Sequence, residues 1–252
     1  MKILREIRLL FKRKAIETLR EPLWIVTEFS TPLLYLVLFA PLLRGLNSET
    51  LGNGEVLDMF VPGMLALFAF STGMGEGWTV NWELQTGVTE RFRVTPASRF
   101  SLLMGTVLRN ICMFLVSALF VSGISLFFGF RIHVAGSLLL LVLLSLLTTM
   151  MTSVSVSMAL KIKNVNSLSA ILVGIQLPIM LLAGVLLPIS LGPLWMQILA
   201  HFNPLYYAVE ASRVLAVGTI ASGVVLEAFA VMLPLTALIL WWTTRVYRKA
   251  VA

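Results

Sequence analysis

The residues that could carry chemistry in this sequence are a few acidic side chains within long apolar stretches. Glu76 lies inside one such stretch, and Glu28 lies near the start of another. An ionisable group inside a membrane span is costly, so it usually faces a partner or a water-filled path. Glu76 therefore has two readings: a substrate or proton contact, or a carboxylate that reaches Arg109 or another base. We interpret Glu76 as such a paired carboxylate.

Other reactive side chains are isolated in the sequence. His133 and His201 have no second histidine or carboxylate at a metal-binding spacing, so we interpret them as packing residues. No nucleotide-binding loop of the G-x-x-x-x-G-K-[ST] type is present, and Gly73 and Gly77 instead form a G-x-x-x-G helix-packing face. We expect no catalytic residues, no bound metal and no cofactor in this chain.

The composition points to a membrane protein. Hydrophobic residues make up 58% of the 252 positions and charged residues 12%. Soluble domains are nearer 45–50% apolar and about 25% charged. The net charge of +7 lies between apolar runs, so we interpret it as a topology signal and not as a nucleic-acid surface.

The chain is predicted to be an all-α integral membrane protein with six transmembrane helices. A crossing needs roughly 20 mostly apolar residues. Residues 1–22 are predicted to form an amphipathic interfacial helix, and the short, proline-flanked segment 188–204 a re-entrant outer segment. The predicted spans are 23–43, 59–80, 101–130, 134–160, 168–187 and 225–244.

The distribution of basic residues supports this count. With six spans and a cytoplasmic N-terminus, sixteen basic residues lie inside and three outside. A seventh span would place Arg245, Arg248 and Lys249 outside, against the positive-inside rule. We therefore expect both termini in the cytoplasm and a multi-pass location in a bacterial or archaeal cytoplasmic membrane.

The segment 83–96 is longer than a simple connector. It mixes charges with apolar side chains such as Leu84, Val88 and Phe92, and it ends at Pro96. Those apolar side chains could dock into the groove of a partner protein. A solvated interfacial loop explains the composition equally well.

Two motifs resemble the ABC-2 type permeases. "GVTERFRVTPASR" is similar to the segment that precedes the third helix in that family, and "LPISLGPLWMQILAHFNPLYYAVEASR" is similar to its region before the last helix. Within that family, the chain looks similar to the short permeases of daunorubicin and nodulation-factor exporters. The resemblance extends over nearly the whole chain.

This resemblance implies the membrane subunit of an exporter. Two permease chains, expected to be identical, would form the pathway, and two separate ATPase subunits, carrying ATP and Mg, would bind below. The cargo would be an amphipathic drug, a lipid or a lipid-linked glycan. The residues implied in ATPase coupling are Leu84, Val88, Glu90, Arg91, Phe92 and Arg93. The N-terminal helix would contact the ATPase through Arg8, Lys12 and Arg13. The implied outer gate contains Pro188, Pro193, Trp195, Asn203, Pro204 and Tyr207.

Aromatic side chains could line a lipid or drug path, although aromatic belts at the membrane surface explain most of them as well. The pathway candidates are Tyr35, Phe68, Phe70 and Glu76. An alternative function is a stand-alone secondary transporter or channel that uses intramembrane carboxylates. Such carriers often show inverted repeats with paired broken helices, and only one broken region is visible here. A structural membrane scaffold is a third reading.

Overall fold

The computed structural model describes residues 2–21, 56–88, 98–127, 133–162, 164–185 and 189–250, with single positions at 26, 30, 34, 35, 37, 38 and 130. The six long segments are helical. They form, in chain order, α1 (Lys2–Leu19), α2 (Val56–Gln85), α3 (Arg99–Phe127), α4 (Val134–Lys161), α5 (Val165–Leu182), a 3-10 helix (Ile189–Leu191), α6 (Leu194–Ala200), α7 (Pro204–Ala216) and α8 (Gly223–Ala250).

Four of these helices, α3, α4, α5 and α8, are long and apolar enough to cross a membrane. The protein is therefore an all-helical, multi-pass membrane protein, as its composition predicts. Most of the predicted first span, 23–43, lies outside the described residues. The count of six spans stays a prediction.

Helix α2 is longer than the span predicted at 59–80. Its thirty residues extend for about 45 Å, and it continues to Gln85, so it includes the first residues of the predicted coupling segment. A turn follows at Gly87, whose φ of 71° is in the left-handed region that favours glycine. The polar end of α2 has contacts of its own: the Asn81 amide donates to the Ile162 carbonyl at 3.0 Å.

Helix α4 lies at the centre of the bundle and packs against α2, α3, α7 and α8. Its closest neighbour is α2. A Cβ placed on Gly73 would lie 2.6 Å from Met151 Cβ, and one on Gly77 would lie 2.4 Å from Ser155 Oγ. The Ser155 hydroxyl also accepts a hydrogen bond from Gly77 N–H at 2.8 Å. The predicted packing role of this glycine pair is confirmed.

Two ends of the bundle can be distinguished. At the end that we call the α1 end, α1 contacts the end of α2 and the start of α3. The ends of α4 and α8 lie at the same end of the bundle, because the end of α2 contacts Ile162 and Lys161 contacts Trp242. At the opposite end, called the α7 end, α5 stops at Leu182 and Gly184 follows with a φ of 68°. The region beyond it contains two short helices, as the prolines predict, and then α7.

Helix α7 was not predicted as an element. Asn203 followed by Pro204 is a typical helix start in the sequence. In the structure the Asn203 side chain accepts a hydrogen bond from Leu205 N–H at 3.0 Å, and Pro204 occupies the first turn. A helix of thirteen residues is too short to cross a membrane, so a search of the sequence for membrane-spanning segments does not find it.

Candidate functional site: a buried charge cluster at the α1 end

Lys14 is the one buried side chain among those that the structure describes in α1. It shares a helical face with Ile7, Leu10 and Phe11, which are three, four or seven residues away. Its Nζ lies 2.9 Å from Glu83 Oε1, near the end of α2. A lysine on the apolar face of α1 thus meets a buried carboxylate.

Glu76 lies two helical turns before Glu83 on α2, and it is only 1% exposed. Its carboxylate oxygens are 3.7 Å from Lys14 Nζ and 3.4 Å from Arg109 Nη1. Both separations exceed the usual hydrogen-bond length, so the contacts are ion pairs without tight hydrogen bonds. The predicted pairing of Glu76 with Arg109 is present, and Lys14 is a second partner.

The cluster extends into α4 through neutral groups. Arg109 Nη1 donates to Asn110 Oδ1 at 2.7 Å, and Asn110 Nδ2 donates to Thr152 Oγ1 at 3.0 Å. Asn110 and Thr152 are fully buried. Charged and polar side chains therefore connect α1, α2, α3 and α4 at one level of the bundle.

The charges of this cluster nearly balance. Lys14 and Arg109 face Glu76 and Glu83, and Arg13 lies 3.6 Å from Glu83 at the edge. Taking a charge out of water costs several kcal/mol unless a partner of opposite sign compensates it. The structure supplies such a partner for each of these five groups.

A second contact holds the other half of α1. Glu6 Oε2 accepts hydrogen bonds from Ser98 N–H and from the Ser101 hydroxyl, each at 3.0 Å. The N-terminus of a helix carries partial positive charge, so a carboxylate is stabilised there. Between the two contacts α1 approaches α3 closely, because a Cβ on Gly105 would lie 2.8 Å from Leu10 Cβ.

These two contacts lie on either side of the segment 89–97. Lys14 is bound to Glu83, before that segment, and Glu6 is bound to Ser98 and Ser101, directly after it. The predicted coupling residues Leu84 and Val88 are half-buried, and Glu90, Arg91, Phe92 and Arg93 lie outside the described residues. Helix α1 thus connects both flanks of the predicted coupling segment.

The three cations predicted on α1 have different environments. Arg8 and Lys12 are exposed, whereas Arg13 is half-buried beside Glu83. Arg8 and Lys12 are therefore accessible at the surface of the chain. Their contact with an ATPase stays a prediction.

The pathway candidates lie in the interior of the chain. Phe68 and Phe70 belong to the hydrophobic core, at 8% and 0% exposure, and Tyr35 is half-buried against that core. Glu76 belongs to the charge cluster described above. Their role in lining a path stays a prediction.

The candidate gate residues lie at the α7 end. Pro193 precedes α6, Trp195 is exposed on it, and Pro188 lies outside the described residues. Asn203 connects two elements, because its amide donates to the Ile179 carbonyl on α5 at 2.7 Å while its side chain also caps α7. The Tyr207 hydroxyl donates to the His201 carbonyl at 3.0 Å. A gating role for these residues stays a prediction.

Arg213 is the principal polar side chain at this end, and it was absent from the predicted gate. It is 8% exposed, it pairs with Glu210 at 2.9 Å, and it donates to the Gly184 and Val185 carbonyls at 2.6 and 3.3 Å. Burial lowers the pKa of Arg213 from its ordinary value, and the Glu210 carboxylate acts in the opposite direction. Arg213 therefore holds the turn after α5 against α7.

The two histidines have packing contacts, as predicted. His133 Nδ1 donates to the Ala216 carbonyl at 3.0 Å, and His201 Nδ1 donates to the Gln197 carbonyl at 2.8 Å. Among the described residues, no group of three histidine, cysteine or acidic side chains could hold a metal ion.

Comparisons with a family model and with individual proteins agree on one family. The family model for the ABC-2 type transporter matches residues 5–217. A protein named as a transport permease, ycf38, from Cyanophora paradoxa is 28% identical over 216 residues, which cover 84% of this chain and 74% of that protein. Its namesake from Porphyra purpurea is 27% identical over 214 residues, with the same shares.

A third relative has a named activity. The daunorubicin resistance ABC transporter permease protein DrrB1 from Streptomyces coeruleorubidus is 25% identical over 233 residues, which cover 90% of this chain and 81% of that protein. The match of the family model extends from α1 through α7, and so includes the charge cluster and the α7 end. The chain belongs to the ABC-2 type transporter family and is the membrane subunit of an ABC transporter.

Proposed function

We propose that this chain is the permease of an ABC exporter that moves an amphipathic drug, a lipid or a lipid-linked glycan outward. The observation that carries the proposal is the attachment of α1 to both flanks of the segment 89–97. The likeness to a daunorubicin resistance permease supports export and an amphipathic cargo.

The proposed topology has six spans, with both termini on the cytoplasmic side of a bacterial or archaeal cytoplasmic membrane. The excess of basic residues in the loops on that side supports it. In this orientation the α1 end of the bundle faces the cytoplasm. The region 188–204 and α7 then lie toward the outside.

The proposed partners are two ATPase subunits, which bind ATP and Mg, and a second, identical permease chain. Closure of the ATPases would push on the segment 89–97. Because α1 is bound to α2 through Lys14 and to α3 through Glu6, that push would reach both helices together. Arg8 and Lys12 would add contacts from the exposed face of α1.

One observation keeps a second function open. The Glu76 carboxylate has no hydrogen-bond partner within the described part of the chain, and buried carboxylates of this kind serve ion-coupled transporters. Its two cationic neighbours favour a structural carboxylate instead. We therefore rank the secondary transporter below the exporter.

The test is purification from native cells in a mild detergent, followed by mass spectrometry of the bound proteins and an ATPase assay. We expect a stoichiometric nucleotide-binding subunit that is lost when residues 90–93 are replaced by alanine. The control is Glu227→Ala, an exposed residue at the α7 end of α8, which should keep the partner. A chain that purifies alone and moves solute on an ion gradient without ATP would overturn the proposal.

A further inference from the structure

The α1 end of α8 carries a patch of aromatic and basic side chains that the proposed coupling does not use. On an α-helix its members fall within an arc of roughly 120°, and all of them are exposed. A cation from the last residue of α4 joins them. The patch consists of Trp241, Trp242, Arg245, Arg248, Lys249 and Lys161.

Two of the cations are held over indole rings. The Arg245 guanidinium carbon lies 3.8 Å from the centroid of the Trp241 ring, and Lys161 Nζ lies 4.7 Å from that of Trp242. A guanidinium stacked on a ring keeps its N–H groups free at its edge. The two cations are therefore positioned by their rings while their donors stay available to a ligand.

The patch lacks compensating negative charge. Within the described residues, none of its four cations lies in ion-pair distance of a carboxylate, in contrast to Lys14 and Arg109 in the buried cluster. The acidic residue of α8, Glu227, lies eighteen positions before Arg245, which is about 27 Å along the helix. An anion would thus meet four positive charges that no described carboxylate neutralises.

The position along α8 indicates which anion. The helix is apolar from Val224 to Leu240 apart from Glu227 and Thr236, and the two tryptophans follow directly. Tryptophan is enriched at the boundary between hydrocarbon and headgroups. Exposed apolar groups at Leu238 and Pro234 continue the same face toward the hydrocarbon, so a ligand with a charged head and apolar chains matches both parts.

We propose that Lys161 and Arg245, held by Trp242 and Trp241, bind the phosphate of an anionic phospholipid. Basic sites between helices at a membrane surface bind anionic headgroups in this way. The inference requires only that α4 and α8 cross the membrane. It does not depend on the transported cargo or on an ATPase partner.

The test is native mass spectrometry of the full chain in detergent, titrated with phosphatidylglycerol or phosphatidylcholine. We expect the Lys161→Gln, Arg245→Gln double variant to bind phosphatidylglycerol roughly twentyfold more weakly, since each basic residue near a lipid surface contributes a few-fold in affinity. Binding of phosphatidylcholine should be weak in both proteins. The matched control is Arg5→Gln with Arg20→Gln, which removes the same charge from exposed positions on α1.

The control variant should lose less than about threefold, because its charges lie outside the patch. Equal losses in the two double variants would overturn the proposal, since attraction would then depend on total charge. Equal affinity for both lipids would overturn it as well. The Lys161→Arg, Arg245→Lys variant keeps the charges and should keep the binding. If it fails to bind phosphatidylglycerol, the proposal is overturned, because the loss in the glutamine variant would then come from altered packing and not from lost charge.

Discussion

Lys14 has the least expected environment of any residue in α1. Its neighbours on the same face are Ile7, Leu10 and Phe11, and an apolar side chain would ordinarily complete such a face. The structure instead places its ammonium between Glu83 and Glu76. Because both carboxylates are also buried, removal of the Lys14 charge leaves Glu83 with only Arg13 and Glu76 with only Arg109 as ion-pair partners among the described residues.

Lys14→Met tests this compensation. Methionine keeps the apolar stem but leaves Glu83 and Glu76 with less positive charge, so we expect a loss of about 3–5 kcal/mol in stability, as for other broken buried pairs. The measurement is thermal unfolding of the purified chain in detergent. Lys12→Met is the matched control, because Lys12 is exposed two residues earlier and should change the melting temperature little.

Equal stability of the two variants would mean that water replaces the ammonium within the cluster. In that case Lys14 would not be needed to balance Glu76.

Sequence reasoning reached part of this cluster. The pairing of Glu76 with Arg109 could be predicted because a carboxylate inside a span needs a partner. Lys14, Glu6 and Glu83 were not predicted as site residues. Their roles depend on which face of α1 contacts which helix, and the amphipathic pattern of α1 fits a membrane surface equally well. The one available signal was a lysine on the apolar face.

Among the elements, the pair formed by α2 and α4 depends on close backbone approach. A Cβ on Gly73 would lie 2.9 Å from the Thr148 carbonyl oxygen and from Thr152 N, both of them backbone atoms. Backbone atoms cannot turn aside as a flexible side chain can, so the helices themselves would have to separate. Gly75 lies two residues along, with no atom within 4 Å of such a Cβ.

Gly73→Ala and Gly75→Ala are therefore a matched pair. We expect Gly73→Ala to destabilise the chain by about 1–3 kcal/mol, as overpacking of a core does. Gly75→Ala should be neutral or stabilising by up to about 1 kcal/mol, because alanine is the better helix former. Thermal unfolding in detergent gives both values. A Gly73→Ala protein as stable as Gly75→Ala would contradict the close approach.

Helix positions were predictable where apolar runs end at charged or proline-rich sequence. Helices α3, α4 and α8 start within two residues of the predicted spans, because such runs need about the thickness of the hydrocarbon. The end of α2 and the presence of α7 were not predicted. Asn81 near the end of α2 donates to a carbonyl just after α4, and Arg213 of α7 donates to a carbonyl just after α5. These contacts join parts of the chain that are far apart in sequence.

In the whole molecule, each end of the bundle has its own cluster of polar side chains. The α1 end contains the cluster around Glu76, and the α7 end contains Arg213 with Glu210 and the carbonyls after α5. The middle of α2 between them is apolar, from Met64 to Phe70. Changes at separate sites with no shared partner usually have independent effects.

Hydrogen exchange followed by mass spectrometry tests this independence. The Glu6→Gln, Lys14→Met variant should speed amide exchange in α1 by tenfold or more, since each lost contact is worth about 1 kcal/mol or more. Exchange in α7 should stay unchanged. Arg213→Met should speed amide exchange in the turn after α5 and in α7, and exchange in α1 should stay unchanged. Parallel acceleration at both ends in either variant would show that the bundle opens as one unit.

The family and the membrane class could be predicted from the sequence, because composition and the two long motifs report on the chain as a whole. The arrangement of helices around α4 could not. It depends on hydroxyl contacts such as Ser157 with Thr243, at 2.8 Å, and a serine in an apolar run gives no sign of which helix it will face.

The attachment of α1 to both flanks of the segment 89–97 has a consequence for engineering. Since Glu83 and Ser98 are bound to α1, residues on both flanks of that nine-residue segment are positioned by contacts outside it. Under the proposed coupling, we expect that the sequence of this segment can be replaced by that of another permease, so that the chain binds a different ATPase subunit while the described helices keep their fold.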